Sequence, residues 1–464
     1  MSAIASLRPH QKAALGKAAV NLKCGAGTYI AHPPGLGKTL DGIAFSELVQ
    51  HIRGLPTKVL VLCPKVAKAI WAQELEKWIG PSNLDGAVPW AAVTAHFREG
   101  LGFFITNYDQ LSKEHEKLLM KWAPDVLILD EMHYVKSPSS QRTRAVKRLA
   151  KRIPYRMGLS GTPSNSPLDW HAQMQILAPQ DPYWQKTFTQ FKLSMIIPTG
   201  PLQPWPDRKR GANGFWPEEL DRAIAATKPY VHVVSKDVLN LPEPVTTVVP
   251  ITLSPSEMKA YEQMEHDLFV EFKDTDTVAD APSVLTKILR LQQITGGFVA
   301  DTEHGIHRFG TSKLDACMEL VEERVGAGQK VVIVARYRED CAALQKAMKV
   351  KYGTINGDTS DKDRADIMAS FQTGSLMVVI LQPRAGGVAI SLSAASAMII
   401  YSAEVSSIVM EQVIGRCWRP GQTGHLQILP LLVPHSVDSD LWGALQNKME
   451  YTSLVKLLLA HLKG

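Results

Sequence analysis

An octet near the N-terminus combines the residue types that hold phosphate groups: residues 32–39 read His-Pro-Pro-Gly-Leu-Gly-Lys-Thr. Gly35 and Gly37 let the backbone curl so that successive N–H groups face an anion. Lys38 would reach the β- and γ-phosphates of a nucleotide, and the Thr39 hydroxyl would hold Mg²⁺. Because a histidine replaces the usual first glycine of such a loop, a plain strand-to-helix turn is the alternative for the octet taken alone.

Two adjacent carboxylates supply the chemistry that a nucleotide-binding loop needs next. Asp130 and Glu131 directly follow the apolar run 126–129, which is typical of a parallel strand buried on both faces. Sheets of that kind place ligands at the C-terminal ends of their strands. Asp130 would hold Mg²⁺ there, and Glu131 would orient or deprotonate the water that attacks the terminal phosphate.

The elements that must position these groups alternate between strand and helix. The strand 29–31 precedes the octet, and the helical pattern 40–49 follows it. Over residues 1–165 we also predict the helix 67–78, a basic helix after the carboxylates, and the strands 59–64, 103–106, 126–129 and 157–160. This alternation predicts a doubly wound parallel sheet.

Residues 166–305 break the alternation, and residues 306–464 resume it. Helical pieces predominate in the middle segment, which also contains a Pro- and Gly-rich loop at 198–217. The later strands and helices are predicted at 330–334, 338–349, 376–381 and 397–401. The predicted fold class is therefore α/β: a domain at 1–165, helical protrusions at 166–305, and a second, similar domain at 306–464 that ends in C-terminal helices.

Composition and charge are those of an ordinary globular protein. Of the 464 residues, 45% are hydrophobic and 21% are charged, and we find neither a membrane-spanning run nor a signal peptide. The five cysteines form no Cys-x-x-Cys pair, which argues against a zinc site and suits a reducing compartment, so we expect a cytoplasmic protein. The net charge of +6 is compatible with a polyanionic partner.

Basic residues are concentrated between Arg142 and Arg156, a stretch without an acidic residue. Most recur at helical spacing, so a solvated helix face and a track for the DNA backbone are equally good interpretations. In the loop at 198–217, three basic residues (208–210) lie between Trp205 and Trp216. These aromatic side chains would either pack on the protrusion, which we favour, or act as a wedge at a DNA branch point.

Taken in order, these segments resemble the superfamily-two helicases, and specifically the Swi/Snf-like DNA translocases, over nearly the whole chain. The crossover 235–242 and the helix 287–293 are typical of that branch. The segments that carry the resemblance are, in chain order, 7–11 (adenine motif), 35–39 (motif one), 130–133 (motif two), 159–163 (motif three), 355–360 (a DNA-gripping motif), 384–387 (motif five) and 412–422 (motif six).

The resemblance implies roles for individual residues. Those implied to bind the nucleotide are Arg8, Gln11, Pro34, Gly35, Leu36, Gly37, Lys38, Thr39, Leu40 and Gln412. Those implied to act in catalysis are Lys38, Asp130, Glu131, Arg416 and Arg419, with Thr39 and Asp130 on the metal. Those implied to couple hydrolysis to domain movement are His133, Ser160 and Thr162. Those implied to contact DNA are Pro64, Lys65, Asn107, Tyr108, Asn356, Gly357, Arg384, Gly386 and Gly387.

Motif six also has a physical logic of its own. Arg416 and Arg419 are three residues apart, so on a helix they would share a face. Supplied by the second domain, their guanidinium groups would act as arginine fingers on the γ-phosphate that the first domain binds. A pair of surface arginines is the alternative.

The resemblance implies two tandem RecA-like domains, parallel sheets with helices on both faces, with helical protrusions inserted between them. It implies ATP and Mg²⁺ as cofactors, and duplex, forked or branched DNA, bound largely independently of sequence, as the partner. We expect a monomeric motor that remodels forks or branched DNA by branch migration or annealing, without a zinc or membrane partner. A chain this bare resembles an enzyme of a bacteriophage or mobile element more than a chromatin remodeller.

Two other functions stay open at this point. A helicase that separates the strands of tailed duplexes would have the same motifs. A non-catalytic nucleotide-binding scaffold is less favoured, because the chain has a complete set of ATPase residues: Lys38, Thr39, Asp130, Glu131, Arg416 and Arg419.

Overall fold

A computed structural model describes residues 2–80, 94–98, 100–161, 164, 166–197, 215–239, 241–272, 281–301, 305–384, 390–419, 422 and 424–447. The chain divides into two compact units, Met1–Leu239 and Asn240–Gly464. The middle segment of the predicted three-part division, 166–305, is thus shared between the two units. That three-part division stays a prediction.

The first unit is built on a sheet with the strand order β3-β4-β2-β5-β6-β1-β7 in the described residues. Neighbouring strands are parallel except that β3 runs antiparallel to β4. The strands are β1 Thr28–Ala31, β2 Thr57–Cys63, β3 Thr94–Arg98, β4 Leu101–Asn107, β5 Val126–Asp130, β6 Tyr155–Ser160 and β7 Val231–Val233.

Helices cover both faces of this sheet, because alternate strand residues pack on different helices. Leu127 and Leu129 belong to one apolar cluster with Leu149 of α5. Ile128 faces the other way, since a Cβ on Gly42 of α2 would lie 3.4 Å from its Cδ1. The helices are α1 Pro9–Lys23, α2 Lys38–Arg53, α3 Lys68–Ile79, α4 Lys113–Trp122, α5 Gln141–Ala150, α6 Asp169–Leu177, α7 Phe188–Met195 and α8 Pro217–Thr227.

The second unit contains a fully parallel sheet in the order β13-β14-β12-β15-β16-β8, with β9 also paired to β16. A separate antiparallel pair is formed by β10 and β11. The strands are β8 Val245–Thr246, β9 Val249–Pro250, β10 Phe298–Asp301, β11 Gly305–Arg308, β12 Val331–Val334, β13 Tyr352–Ile355, β14 Val378–Leu381, β15 Ala397–Ile400 and β16 Gln427–Leu432.

The core of the second unit is formed by its central strands, whose residues are buried at every position of β12, β14 and β15. Such continuous burial explains why these strands read as uninterrupted apolar runs in the sequence. The helices of this unit are α9 Pro255–Phe272, α10 Ala281–Thr295, α11 Ser312–Gly326, α12 Arg338–Ala347, α13 Asp361–Thr373, α14 Ser407–Cys417 and α15 Val437–Gln446.

The α/β prediction is confirmed by these two sheets, of which the first is mainly parallel and the second fully parallel. Predicted helices begin and end within a few residues of the observed ones, as for 67–78 against Lys68–Ile79. The short strand β7 was not predicted and adds an edge to the first sheet inside the predicted helical segment. Across the described ranges, no helix combines the length and the apolar character that a membrane span requires.

Candidate nucleotide site

The predicted phosphate-binding loop lies between β1 and α2, at the C-terminal edge of the first sheet. Gly35 and Gly37 adopt φ values of 90° and 80°, which residues with a Cβ rarely adopt. Gly37 is the N-cap of α2, and no side chain among the described residues caps it. The backbone N–H groups of the first helical turn therefore point to a place where an anion would satisfy them.

Lys38 begins α2, and its Nζ donates to the backbone oxygens of His32 at 2.9 Å and Pro33 at 3.4 Å. Two backbone carbonyls of the loop thus position the side chain of Lys38. Thr39 is half-buried beside it, and Leu36 and Leu40 are buried below the loop. This placement suits the predicted phosphate roles, which stay predictions.

Asp130 ends β5 on the same sheet edge, and its carboxylate is held by two N–H donors. The indole Nε1 of Trp71 donates to Oδ2 at 2.9 Å, and the backbone N of Glu131 donates to Oδ1 at 3.0 Å. The Tyr108 hydroxyl donates to the Asp130 carbonyl at 2.8 Å. Burial, reinforced by the charge of Glu131, raises the pKa of Asp130 to about 6.

Glu131 adopts a left-handed backbone with φ 49°, which is uncommon for a residue with a side chain. The Ser160 hydroxyl donates to its Oε2 at 3.1 Å, and His133 Nδ1 lies 3.2 Å from the same oxygen. His133 Nδ1 is also 3.0 Å from Ser160 Oγ. The structure therefore brings together two of the predicted coupling residues and the predicted base, while Thr162 lies outside the described residues.

Mg²⁺ prefers oxygen ligands in a near-octahedral arrangement. Asp130 and Thr39 supply a carboxylate and a hydroxyl at one edge of the sheet, so the donor set fits that ion. When bound, the ion would neutralise charge on the phosphate oxygens.

The predicted adenine-recognising residues contact the phosphate loop in this structure. Gln11 is 2% exposed, and its Nε2 donates to the Gly37 carbonyl at 3.1 Å. Its Oε1 accepts from the backbone N of Arg8 at 3.0 Å. Both ends of the Gln11 amide thus make one bond each within the protein.

Four residues predicted to contact DNA from the first unit follow β2 and β4 on the same edge. Pro64 and Lys65 open a short turn after β2, and Asn107 ends β4 with 7% exposure. Tyr108 is only 2% exposed and bonds Asp130. The structure thus assigns the Tyr108 hydroxyl to holding the carboxylate segment, a role that its sequence position did not indicate.

In the second unit, the predicted catalytic arginines lie at the end of α14. Arg416 is buried within the helix, and Gln412 is half-buried one turn earlier. Arg419 lies beyond the last helical residue, Cys417, so the expectation that both arginines share a helix face is wrong. The residue before a proline disfavours helical geometry, and Arg419 precedes Pro420.

Arg419 instead folds back on the helix, where its Nε donates to the Gly415 carbonyl at 2.8 Å. This bond satisfies a carbonyl of the last turn. Burial lowers the pKa of Arg419. Its predicted contact with a phosphate stays a prediction.

The DNA-contact residues predicted in the second unit follow β13 and β14. Asn356 forms a tight turn: its Oδ1 accepts from the backbone N of Asp358 at 3.0 Å, and Gly357 lies within that turn. Arg384 makes a bidentate pair with Glu404, at 2.9 and 3.2 Å. Gly386 and Gly387 lie outside the described residues.

The basic stretch covers most of α5, the turn after it and the start of β6, and several of its cations have partners within the unit. Arg148 makes a bidentate pair with Glu116, with its Nε at 2.7 Å. Arg156 is buried and donates to backbone carbonyls of Ala150 and Gly25. Most of the loop at 198–217, including Trp205 and the basic residues 208–210, lies outside the described residues, while Trp216 is buried.

Sequence reasoning missed Trp71 and Glu404, which hold Asp130 and Arg384. Each acts on a residue far from it in the chain, by 59 positions for Trp71 and 20 for Glu404. Neither carries a local sequence signal: that Trp71 is fully buried, on the helix that follows β2, is seen only in the folded chain.

Comparison with known proteins adds an independent finding. Residues 10–296 match the SNF2-related domain, and residues 312–421 match the helicase conserved C-terminal domain. The chain is 23% identical over 466 residues to a putative ATP-dependent helicase/translocase, YwqA, of Bacillus subtilis, covering 96% of this chain and 48% of that protein. It is 24% identical over 443 residues to the mouse DNA annealing helicase and endonuclease ZRANB3, covering 91% of this chain and 38% of that protein.

This chain therefore spans less than half the length of these two relatives. Among solved structures, a Sulfolobus solfataricus SWI2/SNF2 ATPase core in complex with dsDNA is 22% identical, with a TM-score of 0.43. That similarity covers 98% of this chain and 93% of the other.

Proposed function

The chain belongs to the SNF2-related domain family, and on that premise we propose that it is an ATP-driven motor that moves on DNA. The observation that carries the proposal is the convergence of Lys38, Asp130 and Glu131 at one edge of the first sheet. Lys38 comes from the loop after β1, Asp130 and Glu131 come from the end of β5, and this edge is where parallel sheets bind ligands. A structural role alone would not require these three groups to meet there.

The proposed chemistry assigns a task to each group. Lys38 and the first N–H groups of α2 bind the triphosphate, while Thr39 and Asp130 hold Mg²⁺. Glu131 accepts the proton of the attacking water, and Ser160 fixes the orientation of its carboxylate by donating to Oε2. Arg416 and Arg419 of the second unit complete the site by neutralising charge on the γ-phosphate.

The preferred DNA is proposed to be a fork or branch, which the motor reanneals or migrates. The name of the mouse relative, an annealing helicase, supports this choice. A helicase that separates strands of tailed duplexes is the second candidate, and a catalytically silent scaffold is the third. We further propose that the protein is monomeric and cytoplasmic.

ATPase activity measured with single-stranded, duplex, forked and four-way DNA side by side tests the proposal. We expect duplex-containing and branched DNA to stimulate phosphate release well above single-stranded DNA of equal nucleotide content. A Lys38→Ala protein should lose turnover by on the order of a thousandfold, because the charge that neutralises the phosphates is gone.

Three other outcomes would revise this function. Strong stimulation of the ATPase activity by single-stranded DNA, but not by duplex DNA, would favour the strand-separating helicase. An ATPase rate that no DNA changes would refute coupling of hydrolysis to DNA. A Lys38→Ala protein with the full ATPase rate would refute the assignment of an ATP-driven motor.

A further inference from the structure

Two histidines and an aspartate form a chain of contacts directly behind the phosphate-binding loop. His32, the first residue of that loop, is fully buried. Its Nε2 lies 2.9 Å from Nδ1 of His232, and its Nδ1 lies 3.2 Å from Oδ2 of Asp41. None of the three side chains has a task in the proposed hydrolysis.

The three residues come from three different elements. His32 belongs to the loop, Asp41 to the first turn of α2, and His232 to β7. Strand β7 pairs in parallel with β1, and His232 is opposite Ile30, two residues before His32. One imidazole ring therefore joins the loop to the helix that follows it and to the strand at the sheet edge.

The His32–His232 contact has hydrogen-bond geometry, whereas His32 and Asp41 are joined by a close approach of two buried polar atoms. When the proton of His32 lies on Nδ1, facing Asp41, its Nε2 accepts from His232 Nδ1–H. Burial lowers the pKa of His232 to about 4, and His32, Lys17 and His10 add to that effect, so His232 is a neutral donor. Burial also raises the pKa of Asp41, which His32 opposes.

The position of His32 bears directly on the nucleotide loop. Its backbone oxygen accepts from Lys38 Nζ at 2.9 Å. The ring of His10 packs edge-on against the His32 ring at 5.5 Å, and His10 Nε2 donates to the Leu36 carbonyl at 3.2 Å. A displacement of His32 would therefore move the carbonyl that holds Lys38.

Strand β7 is well placed to cause such a displacement. It has three residues, lies at the edge of its sheet, and ends in Val233, which is 71% exposed. Short edge elements with few buried contacts open at low free-energy cost. Residues 234–239 follow it directly and end the first unit, so β7 is the last strand before the chain leaves this unit.

We infer that His32 and His232 form a positioning link through which strand β7, which leads out of the first unit, sets the geometry of the phosphate-binding loop. The inference rests on the proposed function, because it describes how DNA-dependent changes outside the first unit would alter the nucleotide site. The link acts through Lys38 and not on the reacting atoms, so His32 and His232 are positioning residues.

The test compares His232→Phe, which removes the donor, with His232→Asn, whose amide N can replace Nδ1. Two quantities are measured: the ratio of DNA-stimulated to basal ATPase activity, and the dissociation constant of a fluorescent ADP analogue. For His232→Phe we expect the ratio to fall about fivefold, a typical coupling between sites, with ADP affinity within twofold of wild type. His232→Asn should restore most of the ratio.

A double-mutant cycle with His32→Asn, which keeps the Asp41 contact but cannot reach His232, isolates the link. In that background, His232→Phe should have no further effect on the ratio. His51→Phe, an exposed histidine of α2, is the matched control, and thermal unfolding confirms that each variant is folded.

A His232→Phe protein with the wild-type ratio would overturn the link. Additive effects of the two substitutions in the double-mutant cycle would also overturn it. So would a fall of both the stimulation ratio and the ADP affinity in His232→Phe and in His232→Asn, which would indicate only a damaged fold. If no DNA stimulates the ATPase activity of the wild-type protein, the proposed function is refuted instead. The wild-type measurement alone shows this, so the two failures can be distinguished.

Discussion

The two units hold carboxylates after a central strand in opposite ways. In the first, Asp130 and Glu131 accept from an indole N–H, a backbone N–H and a hydroxyl. In the second, Glu404 follows β15 and lies against two guanidinium groups, Arg384 at 2.9 Å and Arg336 at 3.6 Å. Neutral donors orient a carboxylate and leave its charge available, whereas guanidinium groups neutralise it.

The two arrangements suit different tasks: the first leaves carboxylate charge for a bound ligand, and the second fixes the position of an arginine. The charge of Asp130 and Glu131 remains available to a metal ion or a proton. Glu404 is 2% exposed and its charge is already matched by two guanidinium groups, one of which, Arg384, it holds in place. Substitutions in the two units should therefore change different measurements.

Of the substitutions that test this comparison, Glu131→Gln in the first unit should have the largest effect, which is on turnover. The amide cannot accept the proton of the attacking water, so we expect kcat to fall on the order of a hundredfold or more. Ser160→Ala removes the hydroxyl that orients the carboxylate and should cost about tenfold. Steady-state phosphate release measures both, and ADP affinity should stay within a few-fold of wild type.

Glu114→Gln, an exposed carboxylate of α4, is the matched control and should behave as wild type. Equal losses in Glu131→Gln and Ser160→Ala would indicate that orientation is the whole contribution of Glu131. Unchanged turnover in Glu131→Gln would place the base elsewhere and break the comparison.

The second expected effect is on stability, from Asp340→Asn in the second unit. Burial raises the pKa of Asp340 to about 7, although Ser402 donates to its Oδ2 at 2.6 Å and Lys313 lies nearby. The native state then binds a proton more tightly than the unfolded state, so its stability falls as pH rises from about 4 to 7. Asparagine has no such titration.

We therefore expect wild type to lose on the order of 2 kcal/mol relative to Asp340→Asn between pH 5 and 8. Denaturant unfolding of the full chain at several pH values measures this difference. Asp358→Asn, which removes a 70% exposed carboxylate, is the control and should keep the wild-type pH dependence. Parallel pH profiles for wild type and Asp340→Asn would show that Asp340 is ionised throughout.

How far the sequence predicts this protein depends on whether a signal is local. The runs 126–129 and 376–381 are continuously apolar because both faces of their strands are buried, and the structure has strands at Val126–Asp130 and Val378–Leu381. Strands β7 and β8 have three and two residues and are partly exposed, so only pairing with distant strands makes them strands.

The same distinction applies to the site. The positions of Lys38 and Asp130 could be predicted, because each follows a recognisable strand. Trp71 and Glu404 have no local pattern that marks them, since their roles depend on contacts made only in the folded chain. The end of α14 before Arg419 was a missed local signal, because Pro420 already disfavours helix there.

The smallest expected effect tests whether Arg384 is held ready for DNA or held only for structure. Glu404→Gln keeps two polar atoms beside Arg384 but removes the negative charge, so the guanidinium is released toward a phosphate. If Arg384 contacts DNA, this change should lower the DNA concentration for half-maximal ATPase stimulation by roughly threefold, and Arg384→Ala should raise it, since one phosphate contact is gained or lost. Glu322→Gln, in the exposed pair with Lys349, should change nothing. If the half-maximal DNA concentration falls in Glu404→Gln and rises in Arg384→Ala, Glu404 holds a cation that DNA can bind. If it rises in both variants, the pair only stabilises the loop after β14.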